Sequence, residues 1–266
     1  MCLQETKLKG MSRNIVRSLW GRSHVDWSCL DSSGASGGIL IMWDNRVVEK
    51  VDKCVGAYTL AMSFRDVVDS SVWAFAGVYG PNSNNDRKII WDELVGVLSL
   101  WNVLWCVGGD FNVTQFPSKR SGNARLDAAM IEFSEFISDQ GLMDLPLVGF
   151  CFTWSLSKDL PVWLRIDRFL VSPELEDWFP GILQKRLPRF CLNHFPILLD
   201  AGDVSRGKRS FKFENMWLKA EGFVDLVKQW WDSYVFQGSP SFVLAHKLKA
   251  LKLDLKRWNE VAFGNI

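Results

Sequence analysis

The chain has 266 residues, 48% of them hydrophobic, with 31 lysines and arginines against 30 aspartates and glutamates. That length suits one large α/β domain or one domain with an appendage, and that apolar share excludes a disordered chain. A net charge of +1 excludes a global basic footprint for nucleic acid, so any nucleic-acid surface has to be local.

No apolar run approaches the roughly 20 residues that cross a bilayer. The start, Met1-Cys2-Leu3-Gln4-Glu5, has no signal-peptide character. A soluble, intracellular protein is expected. The cysteines Cys2, Cys29, Cys54, Cys106, Cys151 and Cys191 form no C-x-x-C pair and read as buried thiols. The only histidines are His24, His194 and His246, so carboxylate and amide oxygens are the expected metal ligands. That donor chemistry suits Mg²⁺ or Mn²⁺. The 14 tryptophans are spread along the chain and read as packing rather than as one stacking platform.

In chain order, Gly37–Trp43 reads as a buried strand entered through glycines. Tyr58–Phe64 and Val72–Tyr79 read as strands of a hairpin around the polar turn Arg65–Ser71. Pro81-Asn82-Ser83 opens a helix, with Asn82 or Ser83 as N-cap and Ile89, Ile90, Leu94, Val97 and Leu98 at helical spacing. Val103–Val107 is a continuous apolar run ending in two glycines, the pattern of a strand covered on both faces. Leu126, Met130, Phe133, Phe136 and Ile137 mark a second amphipathic helix that Gly141 stops. Further strands are expected at Phe150–Trp154, Trp163–Leu170 and Pro196–Leu199. Strands mixed with covering helices predict an α/β layered sandwich.

Residues 201–210 are polar and contain glycine, and a boundary is expected there, giving units 1–205 and 206–266. Beyond it the period turns helical. Phe213, Met216, Trp217, Phe223, Val227 and Trp230 form one face, and Gly238-Ser239-Pro240 breaks the chain. Leu244, Leu248, Leu251, Leu255 and Trp258 then alternate steps of four and three. A helical hairpin with a solvated basic face is expected; an arm that contacts nucleic acid is the sharper alternative.

Polar residues recur where apolar strands end. Asp110 and Asn112 follow the Val103–Val107 run, and their spacing lets both face one cleft. Arg165 and Asp167 repeat that spacing, and Asn193-His194 precedes another apolar run. Taken singly, each has an ordinary explanation: a turn for Gly-Gly-Asp-Phe-Asn, a surface glutamate for Glu5, a surface ion pair for Arg165 and Asp167, a structural histidine for His194.

Their order is more telling. Leu3-Gln4-Glu5-Thr6-Lys7, Val78-Tyr79-Gly80-Pro81-Asn82, Gly109-Asp110-Phe111-Asn112, Phe152-Thr153-Trp154, Arg165-Ile166-Asp167-Arg168 and Asn193-His194-Phe195-Pro196 follow one another along the chain. This series resembles the ordered motifs of the endonuclease/exonuclease/phosphatase superfamily. Its flavour is similar to the apurinic-type endonuclease domain of plant LINE-type non-LTR retrotransposons. Phe211–Trp217 and Lys256–Asn259 resemble the segment between endonuclease and reverse transcriptase in such elements.

The resemblance implies a four-layer sandwich of two mixed β-sheets flanked by helices, with a helical tail, and hydrolysis of a DNA phosphodiester in the nucleus. It implies that Glu5, with Asn193, binds Mg²⁺ or Mn²⁺. Asp110 orients or deprotonates water, Asn112 positions it, and Tyr79 and Asn82 hydrogen-bond the phosphate. His194, oriented by Asp167, stabilises the developing charge. Trp154, Arg165, Lys119 and Arg120 are expected to meet the substrate. A reverse transcriptase domain is expected downstream as partner; the oligomeric state is left open.

Three departures stand out. Family members begin with a strand carrying an asparagine at the metal site, whereas Met1 lies four residues before Glu5, so a truncated copy is expected. The family's Ser-Asp-His stands here as Leu192-Asn193-His194, which replaces a carboxylate by an amide. Leu164 stands where a serine commonly precedes the Arg-x-Asp motif. Weak or absent activity is therefore expected. Two alternatives stay beside the nuclease reading: a phosphatase or lipase on another phosphoester, and a non-catalytic remnant that binds nucleic acid or a partner.

Overall fold

The computed structural model describes residues 1–21, 23–32, 37–122, 125–156, 162–179, 181–189, 193–202, 217–218, 220, 222–238 and 240–263, the side chains of 84–85 and 260–263 excepted. Its elements begin with β1 (Cys2–Gln4), α1 (Arg13–Trp20), β2 (Asp26–Leu30), β3 (Ile39–Trp43), β4 (Val48–Val55), β5 (Thr59–Asp66) and β6 (Val72–Tyr79). Next come α2 (Asn84–Leu98), β7 (Leu104–Asp110), α3 (Ala128–Asp139), β8 (Met143–Asp144), β9 (Leu147–Val148), β10 (Trp154–Leu156) and β11 (Val162–Leu164). Then follow β12 (Asp167–Val171), α4 (Pro173–Trp178), β13 (Leu183–Arg186), β14 (Ile197–Asp200), α5 (Phe223–Ser233) and α6 (Pro240–Phe263). The chain divides into two compact units, Met1–Gly207 and Lys208–Ile266.

The first unit is built on a six-stranded sheet ordered β4-β5-β6-β7-β12-β8. Only β6 and β7 run parallel in it, and α2 supplies the crossover that a parallel pair needs. Small residues on one face, Ala61, Ala74 and Ala76, leave room for large helical side chains. Trp91 of α2 stacks there on Phe133 and Phe136 of α3, at 5.1 and 5.0 Å between ring centres.

Two three-stranded sheets contribute to the opposite face, β1-β3-β2 and β14-β13-β9. Alternation along β3 decides its packing. Ile39, Ile41 and Trp43 turn toward Leu60, Met62 and Phe64 of the large sheet. Leu40 and Met42 turn the other way, toward Val16 and Trp20 of α1. Helix, sheet, sheet and helix thus stack in four layers, a mixed α/β sandwich.

The hairpin, the two long helices and the buried β7 stand where periodicity puts them, with small shifts at their ends. The expected Trp163–Leu170 strand is instead two strands, β11 pairing with β10 and β12 with β7. Arg165 and Ile166 make the break. The Phe150–Trp154 strand begins only at Trp154. Leu126 is 56% exposed, because α3 starts at Ala128 behind the N-cap Asp127.

The break at Arg165 has a charged cause. Asp144 accepts from Arg165 Nη2 at 2.7 Å and from Arg168 Nη1 at 3.0 Å. Arg168 Nη2 donates back to the Arg165 carbonyl at 2.6 Å. Arg168 is fully buried, so one carboxylate serves two internal guanidinium groups.

In the second unit, Trp217, Phe223 and Leu255 form a small core with Val227, Trp230, Leu251 and Trp258. Leu244 and Leu248 of the expected seam are half exposed. The expected boundary at 201–210 mostly lies outside the described residues, as do Cys191, Leu192, Phe211, Phe213 and Met216.

Removing one partner of a buried ion pair leaves the other charge uncompensated. Asp144→Ala is therefore expected to cost about 3–5 kcal/mol of stability. Urea unfolding followed by circular dichroism measures this as a lower midpoint at unchanged slope. A loss below about 1 kcal/mol would show that the two arginines do not need Asp144.

Candidate active site

Strands β6, β7 and β12 lie side by side, and their register puts Tyr79 beside Asp110 and Asp110 beside Asp167. Three polar side chains thus end three neighbouring strands at one mouth. Gly109 permits the fit: a Cβ there would lie 2.0 Å from Gln4 Nε2 and 2.1 Å from the Val78 carbonyl. Gln4 itself laces the two β-layers together. Its Nε2 donates to the Val78 carbonyl and its Oε1 accepts from the Asp110 N–H at 3.2 Å. The next residue, Glu5, has φ +51° and accepts a hydrogen bond from the Tyr79 hydroxyl.

His194 completes the group. Its Nδ1 lies 3.0 and 3.1 Å from the two carboxylate oxygens of Asp167, and its Nε2 lies 3.9 Å from Asp110 Oδ2. The Thr153 hydroxyl oxygen accepts from the N–H groups of Ile166 and Asp167 at 3.2 and 3.0 Å, fixing the turn that presents Asp167. Phe195 N–H donates to the Thr153 carbonyl at 2.7 Å, which holds the histidine segment to the same residue. Trp154 meets the His194 ring edge-on, with ring centres 6.4 Å apart.

Burial and like charge set the proton chemistry. Burial, with the Asp167 charge beside it, pushes the Asp110 carboxyl up to about 7. His194 is pulled down by burial, but the Asp167 hydrogen bond and the charges of Asp167, Asp110 and Glu5 outweigh that and raise it. Burial and the bond to Glu5 raise the Tyr79 phenol, so it stays a donor.

Asn112 borders the mouth at φ +50°. Its N–H donates to Asp110 Oδ1 at 2.8 Å and its Nδ2 to the Gly80 carbonyl at 2.7 Å. The structure therefore brings Glu5, Tyr79, Asp110, Asn112, Asp167, His194 and Trp154 into one connected cluster.

The other expected residues are placed differently. Asn82 and Asn193 are exposed, and the Asn193 carbonyl accepts from Ser155 N–H. Lys119 and Arg120 belong to a turn held against β11, through Arg165 N–H to the Lys119 carbonyl at 2.9 Å and an Arg120–Leu164 bridge. Arg165, expected to meet substrate, is 4% exposed and ion-paired to Asp144. Gln4 and Thr153 were not singled out in the sequence. Gln4 adjoins Glu5 and Thr153 lies inside a motif, but neither residue type has a signature of its own.

No family model and no curated protein matches this chain. Solved structures do. The endonuclease domain of TRAS1, a telomere-specific non-LTR retrotransposon, aligns at TM-score 0.55 and 12% identity over 71% of this chain and 84% of that one. The AP endonuclease LMAP from Leishmania major aligns at TM-score 0.56 and 14% identity over 74% of this chain and 76% of that one. The shared property at this identity is the fold, the sandwich of the endonuclease/exonuclease/phosphatase type.

A divalent cation fits the donors present. One ligand atom each from Asp110, Asp167 and His194 lies within 4.8 Å of the others. Two internal carboxylates side by side repel each other, and a cation relieves that. Carboxylates with a single imidazole suit a hard ion better than a thiophilic one.

The proton chemistry gives a sign for stability in metal-free protein. Asp110 holds its proton up to about 7 when folded, but only to about 4 when unfolded. Folding thus takes up a proton between those limits, and the raised His194 acts in the same direction. The contribution is complete in acid and is lost as pH rises through about 7. Asp110→Asn is expected to flatten this fall in EDTA, measured as unfolding midpoints from about pH 5 to 8. A wild type that gains stability relative to the variant across that window would contradict the buried-carboxylate account.

Proposed function

We propose that the chain is a Mg²⁺- or Mn²⁺-dependent phosphodiesterase that nicks DNA. The observation that carries this is the cluster of Asp110, Asp167 and His194, flanked by Glu5, Tyr79 and Asn112, at the mouth of a fold shared with a retrotransposon endonuclease domain and an AP endonuclease. A phosphodiester is an anion attacked by water, so hydrolysis needs a base for the water and positive partners where charge grows.

Asp110 takes the proton of the attacking water: a buried carboxyl near 7 is poised between its two forms at neutral pH. Asn112, fixed beside it, orients that water. Asp167 holds the His194 ring by Nδ1, so Nε2 faces the Asp110 side and donates to a phosphoryl oxygen. The Tyr79 hydroxyl, kept protonated, donates to phosphate once released from Glu5. The carboxylates at this mouth, Glu5 and the Asp110–Asp167 pair, would hold the cation, which when bound would neutralise phosphate charge as a Lewis acid. Asn193, a neutral and exposed amide beside His194, adds no charge to that site, so the cation is held more weakly and the copy is slow. In this reading residues 1–205 are the nuclease domain and 206–266 a tail. The whole belongs to a plant LINE-like retroelement protein that acts in the nucleus beside a reverse transcriptase.

Purified protein is expected to convert supercoiled plasmid slowly to nicked circles with Mg²⁺ and not in EDTA. Asp110→Ala and His194→Ala are each expected to lower the rate by about 10² to 10⁴. Nicking that is equal in wild type and Asp110→Ala overturns the assignment. Cleavage of small phosphoesters with intact plasmid overturns the substrate class.

A further inference from the structure

Two loops border the mouth, one after β6 carrying Asn82 and one after β7 carrying Asn112. Arg87, in the first turn of α2, reaches both. Its Nη2 donates to the Asn112 carbonyl at 2.7 Å and lies 3.5 Å from the Asn82 carbonyl. We propose that Arg87 is a positioning residue that fixes Asn112, and with it the water it orients, by bridging the carbonyls of the two loops. This rests on the nuclease reading above.

The placement goes against local preference in two ways. A cation in the first helical turn opposes the helix dipole, which favours anions there. Arg87 is also half-buried, which lowers its basicity, with Asp127 and Glu132 offsetting part of that cost. Side chains held against local preference mark sites where something else is gained. The gain falls on Asn112. Its left-handed backbone, at φ +50°, is uncommon for a residue with a side chain and persists only when its surroundings determine it. Three bonds do so: Asn112 N–H to Asp110, Asn112 Nδ2 to Gly80, and Arg87 to the Asn112 carbonyl. Gly80 N–H also donates to the Asp110 carbonyl at 2.7 Å, so the loops are already joined by backbone. Removing Arg87 therefore loosens Asn112 without parting the loops. One nitrogen, Nη2, lies within reach of both acceptors, the Asn112 carbonyl being the nearer.

Arg87→Met in the full chain is expected to lower kcat for plasmid nicking by about 10- to 100-fold. KM should change by less than about threefold. Arg87→Lys, which keeps the cation and one bond, should recover part of the loss. Because Arg87 acts through Asn112, adding Arg87→Met to Asn112→Ala should cost nothing further. A second readout is independent of activity. In ¹⁵N-labelled protein the Asn112 side-chain amide pair, assigned by its loss in Asn112→Asp, should shift and exchange faster in Arg87→Met. Additive losses in the double variant, or an unchanged amide pair in Arg87→Met, overturn the proposal. A wild type that does not nick above Asp110→Ala defeats the nuclease reading alone, and the amide pair still decides the role of Arg87. Should Arg87→Met fail to fold, the Arg87→Lys amide spectrum decides it.

Discussion

Two carboxylates share one sheet end. Asp110 and Asp167 stand opposite each other across the β7–β12 pair, both below a tenth exposed, and like charges so placed repel. The surroundings answer that repulsion. Asp110 holds its proton up to about 7, Asn112 N–H donates to it, and His194 sits against Asp167. The register is as constrained as the charges, because a slip of one residue sends a strand side chain to the opposite face. Phe111 N–H to the Ile166 carbonyl closes the pair beyond Asp110, and the Asp144 clamp on Arg165 and Arg168 holds the strand that follows. The chemistry of the mouth thus depends on an ion network that never reaches it.

What the sequence made legible follows from what each residue needs. Val72–Tyr79 and Leu104–Asp110 are apolar because helices and sheet cover both faces, so their pattern is local and readable. β4 was not readable: Glu49, Lys50, Asp52 and Lys53 make a charged edge strand, which suits an unpaired edge but hides the strand. The Trp163–Leu170 run looked unbroken because only Asp144, distant in sequence, turns the chain at Arg165. In the site, Glu5, Asp110, Asn112, Asp167 and His194 could be picked by the order of their motifs. Gln4, Thr153 and Arg87 could not, since an amide, a hydroxyl and a helical arginine become site parts only through tertiary hydrogen bonds.

Conformational cost gathers at the same place. Of the non-glycine residues at positive φ, Glu5 and Asn112 belong to the cluster and Lys7 follows two residues after Glu5. Gly109 accepts φ +150° where any Cβ would strike Gln4 and Val78. These are expenditures against local propensity, and they are tolerated because the four-layer core beneath is packed on every face. Asn suits the left-handed region better than most residues, and here its side-chain amide also ties the turn to the Gly80 carbonyl.

Beside His194 lies a wall that the carboxylate–histidine cluster alone does not explain. Arg186 lies 4.3 Å over the Phe150 ring and 4.1 Å over the Phe195 ring, and Trp163 stacks on Phe195. Arg189 adds a second cation 5.0 Å over Phe195. Each such contact contributes on the order of 1 kcal/mol, and together they restrain the residue that follows His194. The wall therefore has two consequences that cannot be separated. It presents cations and ring faces next to the site, and it sets where the imidazole stands. A change at Phe195 loosens these ring contacts and the Phe195 N–H bond to Thr153 at once, so the position of His194 against Asp167 depends on a ring one residue away.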